Sequence, residues 1–99
     1  MIQLGERIQL SNFEELQPGE ITILKKMIGN HANKFNNFKK IHITLKNVHK
    51  KEKSQKYQVN AILEINNKIF ESESTQYNLF FTINEVLDRL KKQFEETKS

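Results

Sequence analysis

Between residues 41 and 74 the chain alternates apolar and polar side chains in three successive stretches, and on both sides of this block apolar residues recur at helical spacing instead. Ile41, Ile43 and Leu45 alternate with His42, Thr44 and Lys46. Tyr57, Val59, Ala61, Leu63 and Ile65 alternate with Gln58, Asn60, Ile62 and Glu64. Phe70, Ser72 and Ser74 share one face of a third stretch, 68–74, whose other face carries Glu71 and Glu73. A two-residue period sends successive side chains to opposite faces, so each stretch reads as a half-buried strand. Asn66-Asn67 suits a tight hairpin, because asparagine tolerates positive φ. Three strands joined in this way form an antiparallel meander with one apolar face to cover.

The flanking segments supply the cover. After Pro18-Gly19, the residues Ile21, Leu24, Ile28, Ala32 and Phe35 predict a helix over 19–34. Gly29 inside it costs about 1 kcal/mol relative to alanine. Asn36-Asn37 breaks the pattern. Asn78 is a good N-cap for a second helix, and Leu79, Ile83, Val86, Leu87, Leu90 and Phe94 form its apolar stripe to about residue 96. At the start, Ile8 and Leu10 alternate with Arg7, Gln9 and Ser11, giving a strand over roughly 6–12. The order is β-α-β-β-β-α. The expected fold is a two-layer α+β domain, a four-stranded sheet with two helices packed on one face. Its 99 residues make one domain, 1–99, with 96–99 as a frayed tail.

Charge is unevenly spread. Residues 39–56 hold Lys39, Lys40, Lys46, Lys50, Lys51, Lys53 and Lys56 against one acid, Glu52. That stretch carries +6 while the whole chain carries +4. A concentrated positive charge at a hairpin points to a polyanion, because each phosphate neutralised by a lysine releases condensed counterions. The chain has no cysteine, which leaves no disulfide framework and no thiolate metal site. No apolar run approaches the ~20 residues of a membrane span, and Met1 to Leu10 contain no signal-peptide core. A soluble, cytoplasmic domain is expected.

Chemistry-bearing residues do not converge in sequence. His31, His42 and His49 lack metal-ligand spacing, and His31 falls beside the apolar face of the first helix, as a packed, hydrogen-bonded histidine would. Glu71 and Glu73 stand about 6–7 Å apart along a strand, a separation glycoside chemistry can use, but acids on an open sheet face are ordinarily solvated or paired with lysines. Ser11, Ser54, Ser72 and Ser74 have no nucleophile-elbow context, and three glycines are too sparse to cradle a phosphate. Phe35, Phe70, Phe80 and Phe94 fall at core spacing, while Phe81 lies off the buried stripe. The open sheet face lacks the paired aromatics of a base-stacking sheet. The expectation is a non-enzyme without cofactor or metal.

With these residues in place, the chain resembles the ribosome-hibernation-promoting factor family. The match is carried by Asn78-Leu79-Phe80 followed by Ile83, Asn84, Asp88, Leu90 and Gln93, by the alternating strands around a basic turn, and by the small inward Ser72 and Ser74. It covers roughly residues 7–96. The resemblance implies a ribosome-binding translation inhibitor that occupies the mRNA and tRNA channel of the small subunit, holding rRNA through basic side chains. By position these are Lys25 and Lys26 on the first helix, Arg89 and Lys92 on the second, and Lys46, Lys50, Lys51, Lys53 and Lys56 in the basic turn. It implies no membrane or small-molecule partner.

The chain departs from the family's pattern at three places. Glu95 and Glu96 stand where the second helix is usually basic. Gln17-Pro18 replaces the usual threonine or aspartate start of the first helix. The sequence ends after the second helix, so the resemblance implies a short, monomeric form without the family's added dimerisation domain. Two other readings stay open: a double-stranded-RNA-binding module, and a protein-interaction domain of the same fold that has lost RNA binding.

Overall fold

The structure is a computed structural model that describes residues 2–14, 16–35, 37–51 and 54–97, apart from the side chains of 47–51 and 54. It contains strands β1 (Ile2–Leu4) and β2 (Ile8–Ser11), helix α1 (Pro18–Ala32), strands β3 (Lys40–Lys51), β4 (Ser54–Ile65) and β5 (Lys68–Gln76), and helix α2 (Leu79–Thr97). The strands form one sheet in the order β1-β2-β3-β4-β5. The α+β class and the two-helix, one-face arrangement agree with the sequence reading. The sheet has five strands, not four.

The additional strand, β1, precedes the segment expected as a strand over 6–12, which is β2. Ile2 to Leu4 pair antiparallel with Ile8 to Leu10, and the chain reverses at Gly5, whose φ of 76° is one that side-chain-bearing residues rarely adopt. A three-residue strand is too short to show a period, so alternation could not reveal it. The β2 strand then pairs in parallel with β3, Ile8 against Ile41 and Leu10 against Ile43. A parallel pair requires a crossover, and α1 supplies it. The remaining pairs are antiparallel. Asn66 and Asn67 turn between β4 and β5 with φ of 52° and 61°, both left-handed as the hairpin requires.

Helix α1 begins at Pro18, whose missing N–H costs nothing in a first turn. The Glu20 carboxylate accepts a hydrogen bond from the Gln17 N–H at 3.1 Å. Helix α2 begins as the sequence predicts: the Asn78 Oδ1 accepts from the Phe81 N–H at 3.0 Å. It continues to Thr97, and the rest of the expected tail, Lys98 and Ser99, lies outside the described residues.

Both helices cover the sheet face that carries Leu10, Ile41, Ile43, Val59, Ala61, Leu63 and Ile65, all of them fully buried. Phe94 is the aromatic hub of this layer, edge-on to Phe35 at 6.0 Å and to Phe70 at 6.2 Å between ring centres. Ser72 and Ser74 are buried on the same face, where small side chains leave room for α2 against β5. The helices are tied together by His31, whose Nε2 lies 2.7 Å from Asn84 Oδ1. The packed, hydrogen-bonded histidine expected at that position is found there.

Candidate nucleic-acid interface

The lysine-rich segment is a ribbon more than a turn. The β3–β4 ladder continues through Val48 opposite Tyr57, Lys50 opposite Gln55 and Lys51 opposite Ser54. Only residues 52 and 53 lie between the strands, and both fall outside the described residues. The neighbouring β5 stops pairing at Gln76 opposite Tyr57. Three residues of each strand, 49–51 and 54–56, therefore project past the sheet as a two-stranded arm, about 10 Å long at ordinary strand rise. The arm helps to give the molecule its long axis of 46 Å against 25 and 18 Å across. Lysine and asparagine are poor strand formers, so the sequence of this stretch reads as a turn. The ladder, however, needs only backbone groups.

At the root of the arm β3 carries a bulge. Leu45 pairs with Val59 and Asn47 with Gln58, so Lys46 is the extra residue. Its Nζ reaches the Glu73 carboxylate at 3.5 Å, across β4 on the open face. Gln58 donates to the same carboxylate from Nε2 at 2.7 Å. That hydrogen bond first, and then the Lys46 charge, hold Glu73 below its ordinary pKa. The pairing of an open-face acid with a lysine, expected from the strand pattern, is thus realised at Glu73.

Arg89 is engaged as well. Its Nη2 lies 2.6 Å from Glu85 Oε1, and its Nη1 donates to the Glu73 backbone carbonyl. Gln93 donates to the Glu71 carbonyl at 2.9 Å. These two side chains of α2 cover outward carbonyls of the edge strand β5. Lys46 and Arg89 are brought together around Glu73, and Lys56 stands close by, with Nζ 4.9 Å from the centre of the Tyr77 ring.

The other positions lie apart. Lys25 and Lys26 are exposed on α1, whose His31 reaches α2 at Asn84. Lys92 is exposed on α2. The backbone of Lys50 and Lys51 belongs to the arm, and Lys53 lies outside the described residues. Of the two acids where the family is basic, Glu95 is paired with Lys91 at 3.6 Å.

Sequence reasoning passed over one neighbour of this cluster. Tyr77, immediately before the Asn78 cap, is 63% exposed, and Phe81 in the first turn of α2 is 70% exposed. The signal was present in part, since Phe81 lies off the apolar stripe. The contact of Tyr77 with Lys56 joins residues from separate elements, and no local pattern announces it.

A second feature lies further along the open face. Lys40, His42, Ile62, Glu64 and Ile69 line a shallow hollow of about 220 Å³. His42 Nε2 lies 2.6 Å from Ser11 Oγ, linking β3 to β2. Partial burial, and secondarily Lys40, push the His42 imidazole below its ordinary pKa.

No protein-family model matches the sequence, and no curated protein does. Solved structures do match the fold. A ribosomal subunit interface protein from Coxiella burnetii superposes with a TM-score of 0.67 at 14% identity, covering 94% of this chain and 98% of its own. The N-terminal domain of Thermus thermophilus Protein Y superposes with a TM-score of 0.56 at 12% identity, covering 91% and 94%. The chain has the fold of these proteins over nearly its whole length, and it is the fold that the sequence resemblance implied.

Proposed function

We propose that this protein is a cytoplasmic ribosome-binding translation inhibitor that acts by occupancy and without covalent chemistry. The observation that carries the reading is a lysine-rich ribbon projecting from a fold shared end to end with a ribosomal subunit interface protein. In this reading the arm, with Lys50, Lys51, Lys53 and Lys56, makes the main contact to rRNA phosphates. Lys25, Lys26 and Lys92 add contacts from the helices. Lys46 and Arg89 have acidic partners within the molecule and contribute less unless those pairs open. With Glu95 and Glu96 at the end of α2, the arm carries a larger share of the contact.

The body then occupies the channel of the small subunit that mRNA and tRNA require. Filter binding of a labelled model mRNA to purified small subunits tests this. With the mRNA held well below its own Kd, added protein is expected to displace it with a midpoint equal to the protein's affinity for the subunit. Stable binding of protein and mRNA together would overturn channel occupancy.

A further inference from the structure

Tyr77 and Phe81 leave two large aromatic rings mostly in water, 63% and 70% exposed, on a chain with only two tyrosines and no tryptophan. Neither ring serves the core, since the buried face of α2 is Leu79, Thr82, Ile83, Val86, Leu87, Leu90 and Phe94. They flank the Asn78 cap, four positions apart, at the point where the arm leaves the sheet. Tyr57 opposite Gln76 is the last β4–β5 pair, so Lys56 and Tyr77 are the next residue on each strand, and Lys56 Nζ sits 4.9 Å from the Tyr77 ring centre. The first turn of α2 carries no acidic residue, so the positive end of the helix dipole is not neutralised there.

An exposed ring beside Lys56 at the root of a lysine-rich arm, with a second exposed ring in the first turn of the adjoining helix, matches the chemistry of single-stranded nucleic acid. The rings offer stacking surface to bases, and the lysines offer charge to phosphates. A neutral protein surface would meet the rings and leave the arm's charge uncompensated. We infer that Tyr77 and Phe81 form a stacking platform for unpaired bases of an RNA strand whose phosphates run along the lysine arm, with Lys56 bridging the two contacts. This deepens the ribosome-binding reading and rests on its assignment of the arm to RNA. It assigns the aromatic contact to an unpaired segment and not to duplex, because paired bases present no free faces.

The test uses the full chain with Tyr57→Phe, which leaves Tyr77 as the one tyrosine, and a ten-nucleotide oligoadenylate as the probe. Titration is expected to quench Tyr77 emission saturably. Tyr77→Ala and Phe81→Ala, read by anisotropy of labelled oligoadenylate, are each expected to weaken binding about tenfold. The log–log salt slope is expected to stay unchanged, because the lysines remain. Tyr77→Phe and Phe81→Tyr keep the ring faces and are expected to keep the affinity. Urea midpoints for all variants confirm folding.

An alanine variant that binds oligoadenylate within twofold of the parent would overturn the platform. So would inorganic polyphosphate, which has charge without bases, quenching Tyr77 to the same extent. If the double alanine variant loses small-subunit binding but keeps oligoadenylate binding, the rings serve a protein contact, and the platform is overturned again. Failure of the parent to bind small subunits would instead refute the ribosomal reading, and it is scored in a separate experiment.

Discussion

Ser72 and Ser74 are two residues apart on β5 and face the same helix, yet their hydroxyls differ in partner. The Ser72 Oγ donates to the Val86 carbonyl at 2.7 Å, while the Ser74 Oγ is buried with no hydrogen-bond partner among the described residues. A made hydrogen bond contributes about 1 kcal/mol, and a buried hydroxyl without one costs about as much. Ser72→Ala is therefore expected to destabilise by about 1 kcal/mol, and Ser74→Ala to be neutral or stabilising, as read from urea midpoints. Equal losses at both positions would contradict the assignment. At His42 the linkage runs through burial. The fold favours the neutral ring, so the unfolded chain takes up its proton first, near pH 6.5. Stability present above that pH is expected to fall as the pH drops through it, and His42→Gln is expected to flatten that part of the profile. Thermal midpoints between pH 7.5 and 5.0 measure both. The residue-scale roles were legible where one side chain's chemistry sufficed, as with the Asn78 cap and the Asn66-Asn67 turn. They were not legible where a partner from another element decides, as with Ser74, His42 and Tyr77.

The elements divide in the same way. Helix α2 and strands β4 and β5 were readable because a long amphipathic run states its own period. Strand β1 was too short for a period, and the arm was hidden because its ladder uses backbone groups under lysine side chains. The parallel pairing of β2 with β3 could not be read from either strand, since register across a crossover is settled by packing. The bulge at Lys46 breaks the strand's pairing without leaving a local mark. The edge of β5 is where one element acts on another. Arg89 and Gln93 cover the Glu73 and Glu71 carbonyls, and an edge so covered offers fewer acceptors to a second chain. The double variant Arg89→Ala/Gln93→Ala is expected to self-associate at concentrations where the parent stays monodisperse, measured by sedimentation velocity. An unchanged sedimentation profile would show that the cover is incidental. Arg89 thus has a structural duty that would compete with the proposed rRNA contact.

At the scale of the molecule, a compact two-layer body is joined to a charged ribbon. The body has the fold of two proteins that share only 14% and 12% of its sequence. The segment 39–56, which ends in the arm, supplies the property that differs most from the rest of the chain, a local charge of +6 on a chain of +4, and the arm itself holds four of its lysines. If arm lysines meet phosphates, each contact contributes about −0.9 to the slope of log affinity against log salt on duplex RNA regions and about −0.7 on single strands. Replacing Lys50, Lys51, Lys53 and Lys56 with glutamine should then reduce the slope by about three units as well as weaken binding. The deciding measurement is co-sedimentation of the chain and of this variant with purified small ribosomal subunits across a salt series. The account predicts that the parent co-migrates at low salt, is released at high salt, and has the steeper slope of the two. Failure of the parent to co-migrate at low salt, or equal slopes for parent and variant, would contradict it.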